Sequence, residues 1–135
     1  MAISFDKALG IRDDALMLHS RRAEVLANNL ANADTPGFKA RDIDFRAALR
    51  DASASQSGAA MERTHDRHMA TGGAMTERAA LLYRVPHQPS VDGNTVETQQ
   101  EQARYTRNAM GFQASFQFLS STFKGMSEAL KGQSQ

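Results

Sequence analysis

From Asn94 to Leu130 the chain has no proline, and within that run Tyr105, Ala109, Phe112, Phe116, Leu119, Phe123, Met126 and Leu130 recur at alternating steps of four and three. Apolar residues at that period line one side of an α-helix and form a coiled-coil seam. A helix over residues 94–131 would be roughly 50 Å long at the α-helical rise. Its start is marked by Asn94 as N-cap and Glu97 three residues on, a capping-box arrangement with Asn in place of Ser or Thr. Burying each Phe or Leu of the seam contributes about 1.5–3 kcal/mol, but only where a partner covers it. Met110 and Phe118 lie off the seam and point to a second contact surface.

The natural first partner is the N-terminal segment, residues 1–33, which reads as a long amphipathic helix from Ile3. One heptad stripe holds Leu9, Leu16, Ala23 and Leu30; its companion positions hold Phe5, Arg12, His19, Leu26 and Ala33, so Arg12 and His19 interrupt it. A second rail, Ile11, Leu18 and Val25, starts two residues later, roughly 200° around the helix. One partner helix cannot cover both rails. The helix needs neighbours on two sides, as in a bundle or inside a packed assembly.

Asn28, Asn29 and Asn32 then weaken the last turn, because Asn side chains compete for backbone partners. Two readings stay open: a terminating helix end, or amides that bond a second helix or a neighbouring subunit. Thr35-Pro36-Gly37-Phe38 follows. Proline biases Thr35 out of the α region, and Pro-Gly is the preferred centre of a type II turn. The remainder of the 34–50 segment alternates apolar and polar residues through Ile43 and Phe45, as a short extended segment does. Arg46–Arg50 adds a helical turn.

Residues 51–79 are rich in Ala, Ser and Gly and read as a flexible linker, since such a stretch buries too little surface to offset chain entropy. His65 and His68 lie within it, with Asp66 nearby. They lack the third ligand that zinc sites normally require, so a solvated loop is the better reading. Residues 80–93 carry the apolar patch Leu81, Leu82, Tyr83 and Val85, then Pro86 and Pro89, and read as an extended strap or a docking arm. The expected fold is therefore all-α: two long terminal helices forming an antiparallel coiled coil, joined by a flexible and extended middle.

With 135 residues the chain is long enough for one modest domain. A net charge of +1 with interspersed signs gives no basic face for nucleic acid. The absence of cysteine excludes disulfides and Cys-based metal sites. The first residues lack a basic region, and Asp6, Lys7, Asp13 and Asp14 interrupt any apolar stretch, so no cleavable signal is expected. No Ser-His-Asp set, Walker loop or HExxH stands in the sequence. No enzyme activity, cofactor or small-molecule substrate is expected.

The run ANNLANADTPGFKARDIDF, residues 27–45, resembles the N-terminal motif of bacterial flagellar rod and hook proteins, the axial family. The residues that carry the likeness are Asn28, Asn29, Asn32, Thr35, Pro36, Gly37 and Phe38. Leu81–Glu97 and the block Arg104 to Met126 are similar to the proximal-rod branch of that family. The resemblance implies a structural subunit of the flagellar basal-body rod, exported unfolded by the flagellar type III apparatus without signal cleavage. It implies contacts with copies of itself, rod proteins FlgC and FlgF, the adaptor FliE and the export gate. Packing between subunits would then use Leu9, Ile11, Leu16, Leu18, Val25, Leu26 and Leu30 together with Tyr105, Phe112, Phe116, Leu119, Phe123 and Met126. The alternatives are another axial protein such as FlgC, which the Arg41–Phe45 block and the aromatic C-terminal helix argue against, or a soluble helical adaptor or chaperone of the export system.

Overall fold

A computed structural model of the chain describes residues 9–56 and 79–132. The order is α1 (Ile11–Ala31), β1 (Arg41–Ile43), α2 (Phe45–Gln56), β2 (Leu81–Tyr83) and α3 (Thr98–Lys131). The two long helices run antiparallel: Asn29 near the end of α1 meets Glu101 near the start of α3, and His19 further back meets Asn108 further on. The chain is thus mainly helical, with two long terminal helices around a shorter middle.

The N-terminal helix does not run continuously from Ile3. Gly10 sits at φ 58 and leaves the helical region, and α1 begins at Ile11. Beyond it, α1 is flanked on two sides by its own chain. On one side lies α3; on the other lie β1 and α2. Leu18 of the second rail is buried with Ile43 and Ala48, and Val25, Phe45 and Ala79 close over that cluster. The two-rail pattern is therefore met largely within one subunit. Leu18 and Leu26, both fully buried, contribute about 1.5–3 kcal/mol each.

The helix α2 crosses the boundary expected at residue 51 and continues to Gln56. Ala48 and Ala52, four apart, are buried on it. Small residues at that spacing let two helices approach closely, so a composition that resembles a linker here makes a packed helix. The rest of the expected linker, with His65 and His68, lies outside the described residues.

The turn follows the expectation. Gly37 has φ 74, and Phe38 N donates to Thr35 O at 3.3 Å. A Cβ built on Gly37 meets nothing within 4 Å, so the restriction there is conformational and not steric. Gly37→Val should lower subunit stability by about 1–3 kcal/mol, the usual cost of forcing a non-glycine residue into the left-handed region. Gly37→Asn should cost clearly less, because Asn visits that region more readily. Urea midpoints of the purified variants check the order.

The strands β1 and β2 pair antiparallel, with Arg41 opposite Tyr83, Asp42 opposite Leu82 and Ile43 opposite Leu81. Across the first pair the Arg41 guanidinium lies 5.2 Å from the Tyr83 ring centroid. The apolar segment at 81–85 is thereby fastened to the segment after the turn.

Candidate functional site

The aromatic seam of α3 is not where α1 packs. Phe112 is 39% exposed, Phe116 57% and Phe123 44%, and Tyr105 is likewise exposed; of the expected seam only Leu119 and Met126 are half-buried. The side that faces inward holds Glu101, Arg104, Asn108, Gly111, Ser115, Leu119, Thr122 and Met126. It is mostly polar or small. On α1, Leu18 and Leu26 are buried, Ile11, Leu16 and Val25 half-buried, and Leu30 borders on exposed; Leu9, just before the helix, is half-buried. The expected pairing of the aromatic stripe with the Leu9–Leu30 stripe is therefore corrected. The side of α3 that turns inward carries the polar groups that bond to the rest of the fold.

These bonds lie at two levels along α3. At the first, the Glu101 side chain is 1% exposed and accepts from Asn29 Nδ2 at 3.0 Å, from Arg104 Nη1 at 2.9 Å and from Arg84 Nη1. Arg84 also pairs with Asp42, whose carboxylate takes a bidentate contact from Arg22, both bonds 2.8 Å. A chain of alternating charges thus joins α1, β1, the residue that follows β2, and α3. At the second level, His19 Nδ1 donates to Asn108 Oδ1 at 2.9 Å, and Asn108 Nδ2 donates to His19 O at 2.8 Å. The His19 ring lies with its centroid 4.5 Å from that of Phe45, tilted by 36°, and fills the space over Gly111, where an added Cβ would come within 2.7 Å of it.

The electrostatics follow from this geometry. Burial by itself would push the Asp42 carboxyl up; the bonds and charges of Arg22 and Arg84 outweigh it and hold the group below the ordinary carboxylate range. The bond to Asp42 in turn holds the Arg22 proton more tightly, against the effect of burial. A depressed folded-state value means that Asp42 contributes stability above its unfolded pKa of about 3.9, and that the contribution is lost as pH falls through the folded value. Asp14 works the other way, raised by burial and then by Asp13. The urea midpoint of the native subunit should therefore decline below about pH 4 more steeply than that of Asp42→Asn, which lacks the titrating group.

The asparagines of the motif divide between the two readings. Asn32 Nδ2 bonds Asn28 O at 2.8 Å, a local helix end, and Asn28 is exposed. Asn29 is buried and reaches across the fold. Besides Glu101 it donates to Arg41 O at 2.7 Å and accepts from Arg41 N at 3.1 Å. The turn itself is clasped by residues 92–95. Gly37 N donates to Asp92 O at 2.9 Å, Thr95 N to Phe38 O at 3.0 Å, and Ala40 N to Thr95 Oγ1 at 2.8 Å. Asn94 is buried there, its Nδ2 within bonding reach of Asn32 O, Ala33 O and Thr35 O at 2.6–3.1 Å.

That contact corrects the expected start of the C-terminal helix. Asn94 does not cap α3; its amide bonds carbonyls of the turn that follows α1. Glu97, at the N-cap position, makes no side-chain cap bond and instead accepts from His87 N and Gln88 N. The network of Arg22, Asp42, Arg84, Glu101 and Arg104 was not anticipated as a site. One signal for part of it is present: Glu101, Asn108, Ser115 and Thr122 are spaced by seven, a polar heptad beside the aromatic one. Among the described residues no cluster of His, Asp and Glu could hold a metal ion, and no helix is long and apolar enough to cross a membrane.

Comparison with known proteins places this arrangement. A family model described as flagella basal body rod protein matches residues 13–39, from the first turn of α1 to the Pro-Gly turn. Flagellar basal body rod protein FlgB of Aeromonas hydrophila is 49% identical over 135 residues, covering 98% of this chain and 99% of its own. FlgB of Escherichia coli (strain K12) is 41% identical over 138 residues, covering 97% and 98%. FlgB of Salmonella typhimurium (strain LT2) is 40% identical over 131 residues, covering 94% and 95%. A structural helix pair with an uncovered aromatic face and identity along nearly its whole length with these proteins leads to one conclusion: the chain belongs to the FlgB family of flagellar basal body rod proteins, structural subunits and not enzymes.

Proposed function

We propose that the chain is a subunit of the proximal rod and that the exposed stripe of α3 is the face its neighbours cover. The observation that carries this is the exposure of Phe112, Phe116 and Phe123 along one line of a long helix. Soluble monomers rarely leave such a contiguous apolar line open, and a stripe of this kind marks an interaction surface. Its neighbours are further copies of the chain and, as the family resemblance implies, the rod proteins FlgC and FlgF, the adaptor FliE and the export gate. The site is the periplasmic rod, reached unfolded through the flagellar type III system without a cleaved signal. Long helices packed along an axis supply the stiffness that torque transmission needs. The polar inner seam and the lack of disulfides leave the fold open to threading.

Purified basal bodies test the reading. They should contain the protein, and density for the rod should show the aromatic line of α3 against adjacent subunits. Recovery of the protein only from the soluble fraction, or density with that line facing solvent, would overturn it.

A further inference from the structure

We infer that Glu101 and Asn108 are positioning residues that fix the roll of α3 about its own axis, so that the aromatic stripe stays outside the subunit; the inference rests on the stripe being the face that neighbours cover. The inner side of α3 and the stripe differ by one residue at 104/105, 108/109, 111/112, 115/116 and 122/123. One residue is a rotation of about 100°. A roll of that size would bring Tyr105, Phe112, Phe116 and Phe123 against α1 and bury them in the subunit itself. The same roll would turn Leu119 and Met126 away from α1, but four aromatic side chains would be covered in exchange for these two, so apolar burial alone favours the rolled arrangement.

Three contacts oppose it. Rolling draws the buried Glu101 carboxylate away from Arg84 and Asn29. It separates Asn108 from His19 at both of their bonds. It also brings Phe112 toward the place that Gly111 leaves for the His19 ring, where even a Cβ would stand 2.7 Å from it. Buried polar groups select one helix setting among several with similar apolar contact, at some expense in stability. Here the selected setting keeps the assembly face from being consumed within the monomer.

The chain has no cysteine, so single thiol reporters give an unmixed reading of roll. Ala109 is exposed on the stripe and Ser115 half-buried on the inner side. In the full-length subunit, Ala109→Cys should react faster with a thiol reagent than Ser115→Cys. With Glu101→Ala and Asn108→Ala added, which remove the polar groups without supplying a large apolar anchor, the order should reverse, each rate moving by about fivefold or more as exposure changes. An unchanged order at retained helicity would overturn the inference. So would both thiols reacting as fast as in denaturant, since the two residues would then merely hold the fold together. The measurement uses the free subunit and is separate from any assembly readout. A reversed order alongside normal assembly of stripe variants would sink the proposed interface and leave the roll standing.

Discussion

Arg84→Met should destabilise the isolated subunit by about 3–5 kcal/mol, the range seen when one partner of a buried ion pair is removed. The reason lies in what remains. Glu101 is almost completely buried, and Arg84 is the group that ties it to Asp42 and β2 to the helix pair. Without Arg84, Asn29 and Arg104 still reach Glu101, but the segment at β2 loses its ion pair to α3 and is left to its pairing with β1 among the described contacts. Glu101→Leu should cost a similar amount for the mirror reason, although Arg84 then retains Asp42. The double variant Arg84→Met/Glu101→Leu should cost less than the two singles added together by about 1–3 kcal/mol, because neither charge is left behind. Urea unfolding of the four proteins closes the cycle. Strict additivity would show that the two side chains do not act as a pair. A subunit of ordinary stability has about 5–15 kcal/mol in total, so either single change removes a large part of it.

Much of this architecture could be read from the residues, and what could not has identifiable causes. Proline spacing and heptads were enough for the two long helices, and Pro36-Gly37 for the turn. Alternation at Arg41–Phe45 and the apolar run at 81–85 marked the two segments that pair as strands. The roll of α3 was not legible. Heptad counting locates a greasy stripe but does not say whether its partner belongs to the same chain, and the polar heptad beside it looks like an ordinary solvated face. The ion network was hidden by distance, with Arg22, Asp42 and Glu101 in three separate elements and Arg84 directly after a fourth. Asn94 shows a third cause. Asn followed by Glu three residues on suits a capping box, yet the same amide also suits the carbonyls of the turn after another helix, and only the fold decides between them. The helix α2 shows a fourth: Ala48 and Ala52 carry little hydrophobicity, and close packing on α1 supplies what composition did not suggest.

Phe116→Ala and Phe123→Ala should separate folding from assembly. In the lone subunit both rings are about half exposed, so truncation removes few contacts and the urea midpoint should stay within about 0.5 kcal/mol of native, as for surface substitutions. In the rod, where neighbours cover the stripe, each loss should cost roughly 3–5 kcal/mol, the amount expected when a buried Phe becomes Ala. That penalty recurs at every copy, so the expected phenotype is protein made at normal level, no rod in isolated basal bodies and no swimming. Leu26→Ala supplies the contrast. It is buried inside the subunit, and its truncation should lower the free protein's stability by about 2–5 kcal/mol. Two outcomes would contradict the assignment: normal swimming of the Phe116 and Phe123 variants, or a drop in their free-subunit stability comparable to that of Leu26→Ala. The first would mean that the stripe meets no neighbour, and the second that the free subunit already buries it.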